Sequence, residues 1–284
     1  MKKIQLFVLV IAIAIAAKAQ QKEGTVTYQR TINNWKRFNN EQMRSMMPEF
    51  QISKYILYFS DSLSMYKLSP DENAPEPFAG GEGGGFRRAF NFGGGDGDLF
   101  KNFGTGLSTQ ATELGGKNFL ITDTIKKQPW KISAETKEIL GVLCRKATMK
   151  ITQPSFAGRT FNFNRNRPAG DTATRQVRDS ATRPAPREIE IVAWFAQTIL
   201  APVGPDTYGQ LPGIILELDI DNGSTVYKAL TLKNTVEAKE LKEPKKGKKV
   251  TRQEYLQLQR ELFQNQGGGF GGQGGTRVII GGGM

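Results

Sequence analysis

The sequence predicts a β-dominated fold, all-β or α+β, with a curved antiparallel sheet of roughly eight to ten strands, one or two short helices and long disordered insertions. Most segments of ordinary composition alternate apolar and polar residues with period two, which is typical of strands with one buried face. Ser60-Asp61-Ser62 and Asn222-Gly223 each separate two of these segments and favour tight reversals. Glycine-rich segments interrupt these strand patterns, so the folded part is shorter than the 284-residue chain.

Residues 1–19 have the pattern of a signal peptide. Lys2 and Lys3 precede the apolar run Phe7–Ala17, and Ala19 completes a small-residue cleavage site. This run is too short to span a membrane, and no later stretch reaches the roughly 20 apolar residues that a spanning helix needs. We predict an exported protein of the periplasm, the outer-membrane surface or the extracellular space that does not span the membrane.

Residues 20–71 hold the first strands of the β domain. Residues 25–32 alternate as a strand, and residues 39–47 carry a methionine stripe that predicts a short helix. Tyr55–Phe59 and Leu63–Leu68 flank the Ser-Asp-Ser reversal, so we predict a hairpin there.

Strand patterns return over residues 109–152, with a turn predicted through residues 134–137 and a bulge at Gly141. The predicted strands cover residues 119–125, 129–132 and 139–151.

The part of the β domain at residues 188–234 carries the strongest local signal. Residues 188–195 alternate, and two apolar segments are joined through Asn222-Gly223, a pair that takes positive φ at low cost. We predict a hairpin centred on this pair. Farther along, Thr251 and Glu254 form a capping box, which predicts an amphipathic helix over residues 251–266.

Four segments are predicted to lie outside the packed fold, because their compositions cannot offset the entropy of ordering the backbone. Residues 79–106 and 267–284 together contain 21 of the 32 glycines. The four segments are a Gly/Phe-rich disordered insertion at 72–108, an Arg-rich disordered insertion at 153–187, a basic linker at 235–250 and a Gly-rich tail at 267–284.

The composition excludes several kinds of site. The chain has no histidine, which removes Ser-His-Asp and Cys-His nucleophile systems and HExxH zinc sites. Its single cysteine, Cys144, has no intramolecular disulfide partner and is interpreted as a small buried side chain. We predict no metal and no cofactor.

Two carboxylate pairs are the remaining candidates for acid–base chemistry, Glu188 with Glu190 and Asp219 with Asp221. Carboxylates two residues apart on one strand are usually both solvated, and neither then gains the raised pKa that a general acid needs. The aspartate pair also lacks the further oxygen ligands of a calcium loop. A histidine-free carboxylate enzyme is therefore the least favoured hypothesis, and we predict a protein that is not an enzyme.

The charge pattern suggests a partner class. Without residues 1–19 the chain has 36 basic and 27 acidic residues, and the excess lies in residues 159–187 and 242–252. Such basic runs are normally solvated, mobile segments. The functional alternative in an exported protein is adhesion to an anionic surface such as lipopolysaccharide, and nucleic acid is not expected.

Several motifs resemble, in order and spacing, those of the GLPGLI family of secreted proteins from Gram-negative bacteria. The motifs are Trp130-Lys131-Ile132, residues 135–141, Cys144, Ala193-Trp194-Phe195, Gly204-Pro205 and Leu211–Leu216. Gln210 stands where the family motif has its first glycine, and Ile214 where it has its second leucine. The resemblance implies an exported protein with a β-rich architecture and no established activity. The successive hairpins are also similar to the half-barrel of periplasmic lipoprotein carriers, an analogy of fold alone.

The sequence also offers a candidate binding site. Leu211-Pro212-Gly213 is interpreted as the turn that leads into a strand, and this structural role is favoured. In the functional alternative, this turn and Trp194 line the mouth of an apolar cavity. The favoured hypothesis is a non-enzymatic binding module for an apolar ligand or an outer-membrane component, with an envelope protein, a lipid or lipopolysaccharide as the partner. The alternative is a structural protein of the envelope that acts through its Gly/Phe-rich and Arg-rich segments.

Cleavage of the signal peptide after Ala19 is directly testable. We expect N-terminal sequencing of the exported protein to begin at Gln20, because the peptidase reads small side chains at the end of the leader. An Ala19→Tyr variant should accumulate as the uncleaved precursor. Wild-type protein that retains Met1 after export would contradict the prediction.

Overall fold

A computed structural model describes residues 21–37, 41, 44, 47–70, 97–153 and 187–267. The strands are β1 (Gly24–Asn33), β2 (Phe50–Phe59), β3 (Leu63–Leu68), β4 (Asp98–Asn102), β5 (Leu107–Leu114), β6 (Lys117–Thr124), β7 (Lys131–Ile139), β8 (Val142–Gln153), β9 (Arg187–Ala196), β10 (Ile214–Ile220), β11 (Thr225–Lys233) and β12 (Lys248–Thr251). The helices are α1 (Asn34–Arg37), a 3₁₀ turn (Ala238–Glu240) and α2 (Arg252–Gly267).

The strands form one twelve-stranded sheet in the order β12-β6-β5-β4-β3-β2-β1-β11-β10-β9-β8-β7. β12 runs parallel to β6, whereas β2–β3, β3–β4, β4–β5, β5–β6, β7–β8, β8–β9, β9–β10 and β10–β11 are antiparallel. The predicted β-dominated fold is confirmed. The predicted strand number was too low, chiefly because β4, β5 and β12 are short or polar strands with weak alternation.

The described chain divides into two compact units. The first contains Tyr28–Ser53 and Gln128–Leu230, and the second contains Gln21–Thr27, Lys54–Lys127 and the chain from Thr231 onward.

The core of the first unit follows the period-two pattern of β9. Ile191, Ala193 and Phe195 are buried, whereas Glu188 and Glu190 on the opposite face are exposed. Antiparallel pairing of β9 with β8 on one side and β10 on the other places these residues in the middle of three strands. One strand face therefore supplies the apolar core and the other remains wet.

A β-bulge in β10 is stabilised by a tyrosine from β1. The pairing of β10 with β9 shifts between Ile215 and Glu217. The buried hydroxyl of Tyr28 donates a hydrogen bond of 2.5 Å to the carbonyl oxygen of Ile215 at this point. The hydrogen bond satisfies a buried backbone acceptor beside the irregular pairing.

Both predicted hairpins are present. β2 and β3 pair through Phe59 and Ser64, and β10 and β11 pair up to Ile220 and Thr225. In the second hairpin Asn222 and Gly223 have φ values of 50° and 82°, as expected for this pair.

The second unit contains the predicted C-terminal helix. The backbone N–H of Thr251 donates to the Glu254 carboxylate at 2.7 Å, and the Glu254 N–H donates to the Thr251 hydroxyl at 3.2 Å, which confirms the capping box. Tyr255 on α2 packs edge-on against Phe119, with the ring centroids 5.9 Å apart, in a cluster with Val250. Helix α2 is therefore docked on its own unit through an aromatic contact.

Two predicted boundaries require correction. Strand β4 and the first residues of β5 lie inside the segment 72–108 that was predicted to be disordered, and Phe100 is buried there. The linker predicted at residues 235–250 contains the 3₁₀ turn and most of β12. Packing against neighbouring strands stabilises segments whose own composition predicts little structure.

Specific side chains anchor this former linker. Lys67 forms an ion pair with Glu240, with 2.5 Å between Nζ and Oε2. The Thr109 hydroxyl donates to Glu243 at 2.7 Å. The acidic residues of the former linker, rather than its more numerous lysines, make these two contacts.

The turn prediction between β7 and β8 was also wrong. Residues 134–137 belong to β7, whose pairing with β8 is irregular between Ile132 and Thr136. The reversal occurs at Leu140 and Gly141, with φ values of 53° and 75°. Two successive positive φ values are characteristic of a tight hairpin turn. Because leucine rarely adopts a positive φ, the sequence pattern does not predict a turn at this position.

Several predictions fall outside the described residues. These are the signal peptide at 1–19, residues 72–96 and 154–186 of the two insertions, and the tail from 268 onward. Of the helix predicted at 39–47, residues 41 and 44 are described as helical. In the described part of the chain, no helix is long and apolar enough to cross a membrane.

The Tyr28 hydroxyl can be tested by Tyr28→Phe. We expect the free energy of unfolding of the first unit to fall by about 1–3 kcal/mol, because the buried carbonyl of Ile215 loses its donor. Tryptophan fluorescence in urea is the measurement, since all three tryptophans belong to this unit. Thr152→Val, which removes an exposed hydroxyl of the same unit, is the control and should change stability by less than about 0.5 kcal/mol. Equal effects of the two variants would contradict the prediction.

Candidate functional site

Trp194, the first of the sequence-predicted binding residues, lies on the polar face of β9. It pairs with Lys146 on one side and Glu217 on the other. The Lys137 ammonium lies 5.3 Å from the centre of the indole and also forms an ion pair of 2.8 Å with Glu217. Trp194 is therefore half-buried under a charged pair.

The Leu211-Pro212-Gly213 segment leads into β10 as predicted, but its side chains do not share one surface. Leu211 is buried and Pro212 is exposed. A Cβ atom added at Gly213 would lie 2.0 Å from the carbonyl oxygen of Ala196, so only glycine fits. The two best-formed cavities of the described residues are lined by other side chains, and ligand binding by these three residues and Trp194 stays a prediction.

Gln210, which stands at the first glycine position of the family motif, lies in the turn before this segment. Gln210 has a φ of 61°, in the left-handed region that glycine adopts most easily. Its side-chain oxygen accepts a hydrogen bond of 3.2 Å from the Gln128 N–H, and the Trp130 indole donates at 2.9 Å to the carbonyl of Gly209. The turn is therefore retained without the glycine, and Trp130 serves to position it.

A second tryptophan site, which the sequence analysis missed, surrounds an open cavity of about 440 Å³ in the first unit. We call it the Trp35 cavity. It is lined by Trp35, Lys36, Arg44, Arg187, Asp221 and Asn222. Three cations, one carboxylate, one amide and one indole thus face the same volume.

Helix α1 positions Trp35 and Lys36. The side-chain oxygen of Asn33 accepts a hydrogen bond of 3.0 Å from the Lys36 N–H, which caps the single helical turn. The backbone N–H and side-chain amide of Asn34 donate to the carbonyls of Glu49 and Pro48 at 2.8 and 2.9 Å. Trp35, whose carbonyl accepts from Arg44 at 3.1 Å, remains 43% exposed.

The β10–β11 turn supplies the opposite wall. Asp221 and Asn222 both have positive φ, at 56° and 50°, which aspartate and asparagine tolerate better than most residues. The Asp219 carboxylate accepts a hydrogen bond of 2.5 Å from the Gly223 N–H and so holds the turn. Lys36 then joins the two walls by donating to the carbonyl of Asn222 at 2.5 Å.

Arg187, the first residue of β9, completes the site. Its guanidinium forms an ion pair of 2.7 Å with the Asp221 carboxylate, and 65% of its side chain is exposed. A guanidinium held by one carboxylate oxygen keeps further N–H donors for a ligand. The cavity therefore brings cationic N–H donors beside an exposed aromatic surface.

The carboxylate pairs considered as acid–base candidates have other roles. Glu188 and Glu190 are exposed, and Glu188 lies 3.6 Å from Lys150. Asp219 holds the turn and Asp221 holds Arg187. Among the described residues, no group of three or more Cys, Asp or Glu side chains is placed to hold a metal ion.

Buried titratable groups of the first unit keep their protons at neutral pH. Burial raises the pKa of the Cys144 thiol to about 11 and that of Tyr208 to about 12. Burial, with a contribution from the Asp206 carboxylate, also raises the pKa of Tyr227. These three groups therefore supply no nucleophile near neutrality.

A smaller cavity of about 170 Å³ lies in the second unit. Its lining is Phe100, Asn102, Thr105, Leu107, Thr109, Thr122 and Glu243. The Thr109–Glu243 hydrogen bond across it engages the carboxylate, so this cavity has less charge to offer a ligand.

One local feature of the sequence points to the Trp35 cavity. Asn34-Trp35-Lys36-Arg37 places an aromatic residue beside two cations directly after a strand. Asp221 and Asn222 could be interpreted only as turn residues, and Arg187 only as part of an Arg-rich segment. Their convergence depends on the pairing of β9, β10 and β11.

Comparisons with known proteins give a family model and a structural likeness. The model of a family described as a protein of unknown function (Porph_ging) matches residues 130–217. This range contains Trp194, Leu211–Gly213 and Arg187, but not Trp35, Lys36, Asp221 or Asn222. No curated protein matches the chain.

Two solved structures of PNGF-II, in the C2 and P21 space groups, are similar to the chain. Their TM-scores are 0.49 and 0.48, with sequence identities of 15% and 14%. Each match covers 84% of this chain, and 32% and 33% of the two PNGF-II chains. The chain therefore spans about a third of the length of these proteins.

The close approach at Gly213 predicts a stability effect. We expect Gly213→Ala to lower the free energy of unfolding of the first unit by about 1–3 kcal/mol, because the added methyl group overlaps a backbone carbonyl. Pro212→Ala at the exposed neighbouring position should cost less than about 1 kcal/mol. Urea unfolding followed by tryptophan fluorescence compares them, and an unchanged midpoint for Gly213→Ala would refute the expectation.

Proposed function

We propose that the chain is an exported, non-enzymatic binding protein of the Gram-negative envelope, and that its Trp35 cavity binds an anionic outer-membrane component, lipopolysaccharide. One observation carries the proposal: an exposed indole shares a cavity with Lys36, Arg44 and Arg187. Of the two ligand classes considered from the sequence, an anionic envelope component fits this lining better than an apolar ligand.

Two cations of the cavity, Lys36 and Arg187, keep N–H donors for a ligand. Lys36 uses one of its three N–H groups on the carbonyl of Asn222, and Arg187 uses a single N–H on Asp221. Both are held at their backbone ends, Lys36 in the capped helix α1 and Arg187 in β9. Such pre-positioned charges lose little side-chain entropy when an anion binds.

The compartment supports this partner. Residues 1–19 have the pattern of a signal peptide, and the resemblance to the GLPGLI family implies a secreted protein. Lipopolysaccharide presents phosphate groups on sugars at the outer membrane, and the basic excess of the chain attracts an anionic surface at long range. We propose no chemical step, since the sequence has no histidine and the Cys144 thiol is buried.

Binding to immobilised lipopolysaccharide tests the proposal. At physiological salt we expect the mature full-length chain to bind and Arg187→Ala to weaken binding about tenfold or more, because charge-assisted hydrogen bonds contribute about 1.5–3 kcal/mol each. Lys150→Ala is the matched control, since it removes one exposed, paired cation from the adjacent strand β8. Equal weakening by both variants would indicate attraction by net charge alone and overturn the proposed site.

A further inference from the structure

We infer that the cavity of about 170 Å³ in the second unit binds the primary ammonium group of a small molecule, with the Glu243 carboxylate as its counter-ion. We call this site the Glu243 cavity. It is independent of the Trp35 cavity, because the two cavities are lined by residues of different units, and it therefore goes beyond the proposed function.

Strand register places the floor of the Glu243 cavity. Thr109 on β5 lies opposite Phe100 on β4 and opposite Thr122 on β6. Directly opposed residues of antiparallel strands have Cβ atoms about 4.5–5.5 Å apart, with their side chains on the same face. Leu107, two residues before Thr109, lies on this face as well. An aromatic ring, two hydroxyl groups and an apolar side chain therefore face the same volume.

The segment that follows the 3₁₀ turn supplies the carboxylate. The buried side chain of Thr109 donates a hydrogen bond of 2.7 Å to Oε1 of Glu243, which holds the carboxylate against β5. An ionised carboxylate has about four lone-pair sites, and a hydroxyl that donates its hydrogen still accepts through its lone pairs. An ammonium group beside these two oxygens, which lie 2.7 Å apart, can therefore donate to both.

The charge of the lining favours a cation. Among the described residues that line the cavity, Glu243 is the only charged side chain, so the lining carries one negative charge. Lys242 and Lys245, which are close to Glu243 in the sequence, are exposed and do not line the cavity. A singly charged cation therefore compensates the lining, whereas an anion adds to its charge.

The rest of the lining favours an organic ammonium over a metal ion. Aromatic faces attract ammonium groups within about 6 Å, and the Phe100 ring lies in the lining beside the apolar side chain of Leu107. The side-chain oxygen of Asn102 already accepts from the backbone N–H groups of Gly104 and Thr105, at 3.0 and 3.1 Å. Calcium needs about six to eight oxygen ligands. The volume is below the range of about 300–1,000 Å³ typical of drug-sized ligands, so the amine must be small.

Ligand-observed NMR titration of the mature full-length chain tests the inference. The probes are propylammonium chloride, 1-propanol and sodium propionate, which share an alkyl chain and differ in charge. We expect propylammonium to bind at about millimolar concentration, as very small ligands do, and at least about tenfold more tightly than either of the other probes. Equal affinities for propylammonium and 1-propanol would overturn the inference.

Variants test the two parts of the site. Glu243→Gln removes the charge but keeps an acceptor for Thr109, and it should weaken propylammonium binding at least about tenfold. Glu237→Gln is the matched control, because it makes the same change at an exposed position of the same segment outside the lining. Phe100→Leu, which keeps an apolar side chain at this buried position, should reduce the preference for propylammonium over 1-propanol. Equal losses in Glu243→Gln and Glu237→Gln would indicate attraction by net charge alone and refute the site.

Two further measurements identify the cation. Displacement of propylammonium by an equal concentration of potassium or calcium chloride would overturn the assignment to an organic ammonium. Co-sedimentation with phosphatidylethanolamine vesicles that is lost in Glu243→Gln would support the inference and assign the ammonium to a lipid headgroup. Propylammonium binding without co-sedimentation would support it and assign the ammonium to a soluble amine.

Discussion

The hydrogen bond between the buried Tyr28 hydroxyl and the Ile215 carbonyl stabilises the irregular register on which the first unit depends. Beyond the bulge, β10 continues so that Glu217 lies opposite Trp194 and Leu218 opposite Ala193. A shift by one residue would exchange the buried and exposed faces of the strand. The bulge thereby places Leu218 in the core and Glu217 on the charged face.

The same two strands also build the candidate site. β1 continues from Tyr28 into the capped turn that carries Trp35, and β10 continues from Ile215 into the turn that carries Asp221. The Asn33 N–H donates to the Ser224 carbonyl at 3.0 Å, which joins these two ends. The cavity is therefore a consequence of strand pairing, and the side chains of Lys36 and Arg187 are held by contacts with Asn222 and Asp221 of the β10–β11 turn.

Lysine and arginine side chains of the first unit lie in two kinds of environment. On the wet face of β8 and β9, Lys146 and Lys150 lie opposite carboxylates and keep an exposed strand surface polar. In the Trp35 cavity the cations outnumber the single carboxylate and surround an exposed aromatic ring. Surface ion pairs of the first kind contribute little free energy. Two cations of the cavity have partners as well, since Arg187 pairs with Asp221 and Lys36 donates to the carbonyl of Asn222.

Local sequence patterns predicted an element correctly where one residue pair or a regular apolar–polar alternation determines its backbone conformation. Asn222-Gly223, the Thr251–Glu254 capping box and the alternation of β9 all have the conformations that their side chains favour. The reversal at Leu140 was concealed because leucine rarely takes a positive φ, and β4 and β12 were missed because their stability comes from neighbouring strands.

The sequence by itself determined the β-dominated class, the principal hairpins, the helix cap and the absence of histidine chemistry, because each depends on composition or on residues close together in the chain. Only the tertiary structure decided that Trp35, Arg187 and Asp221, more than 30 residues apart in the sequence, line one cavity. It also placed Trp194 under an ion pair and Leu211 in the core. The physical reason is strand register: which distant side chains meet is fixed by the pairing of β9 with β10 and by the bulge, and a single sequence does not encode that pairing in any local pattern.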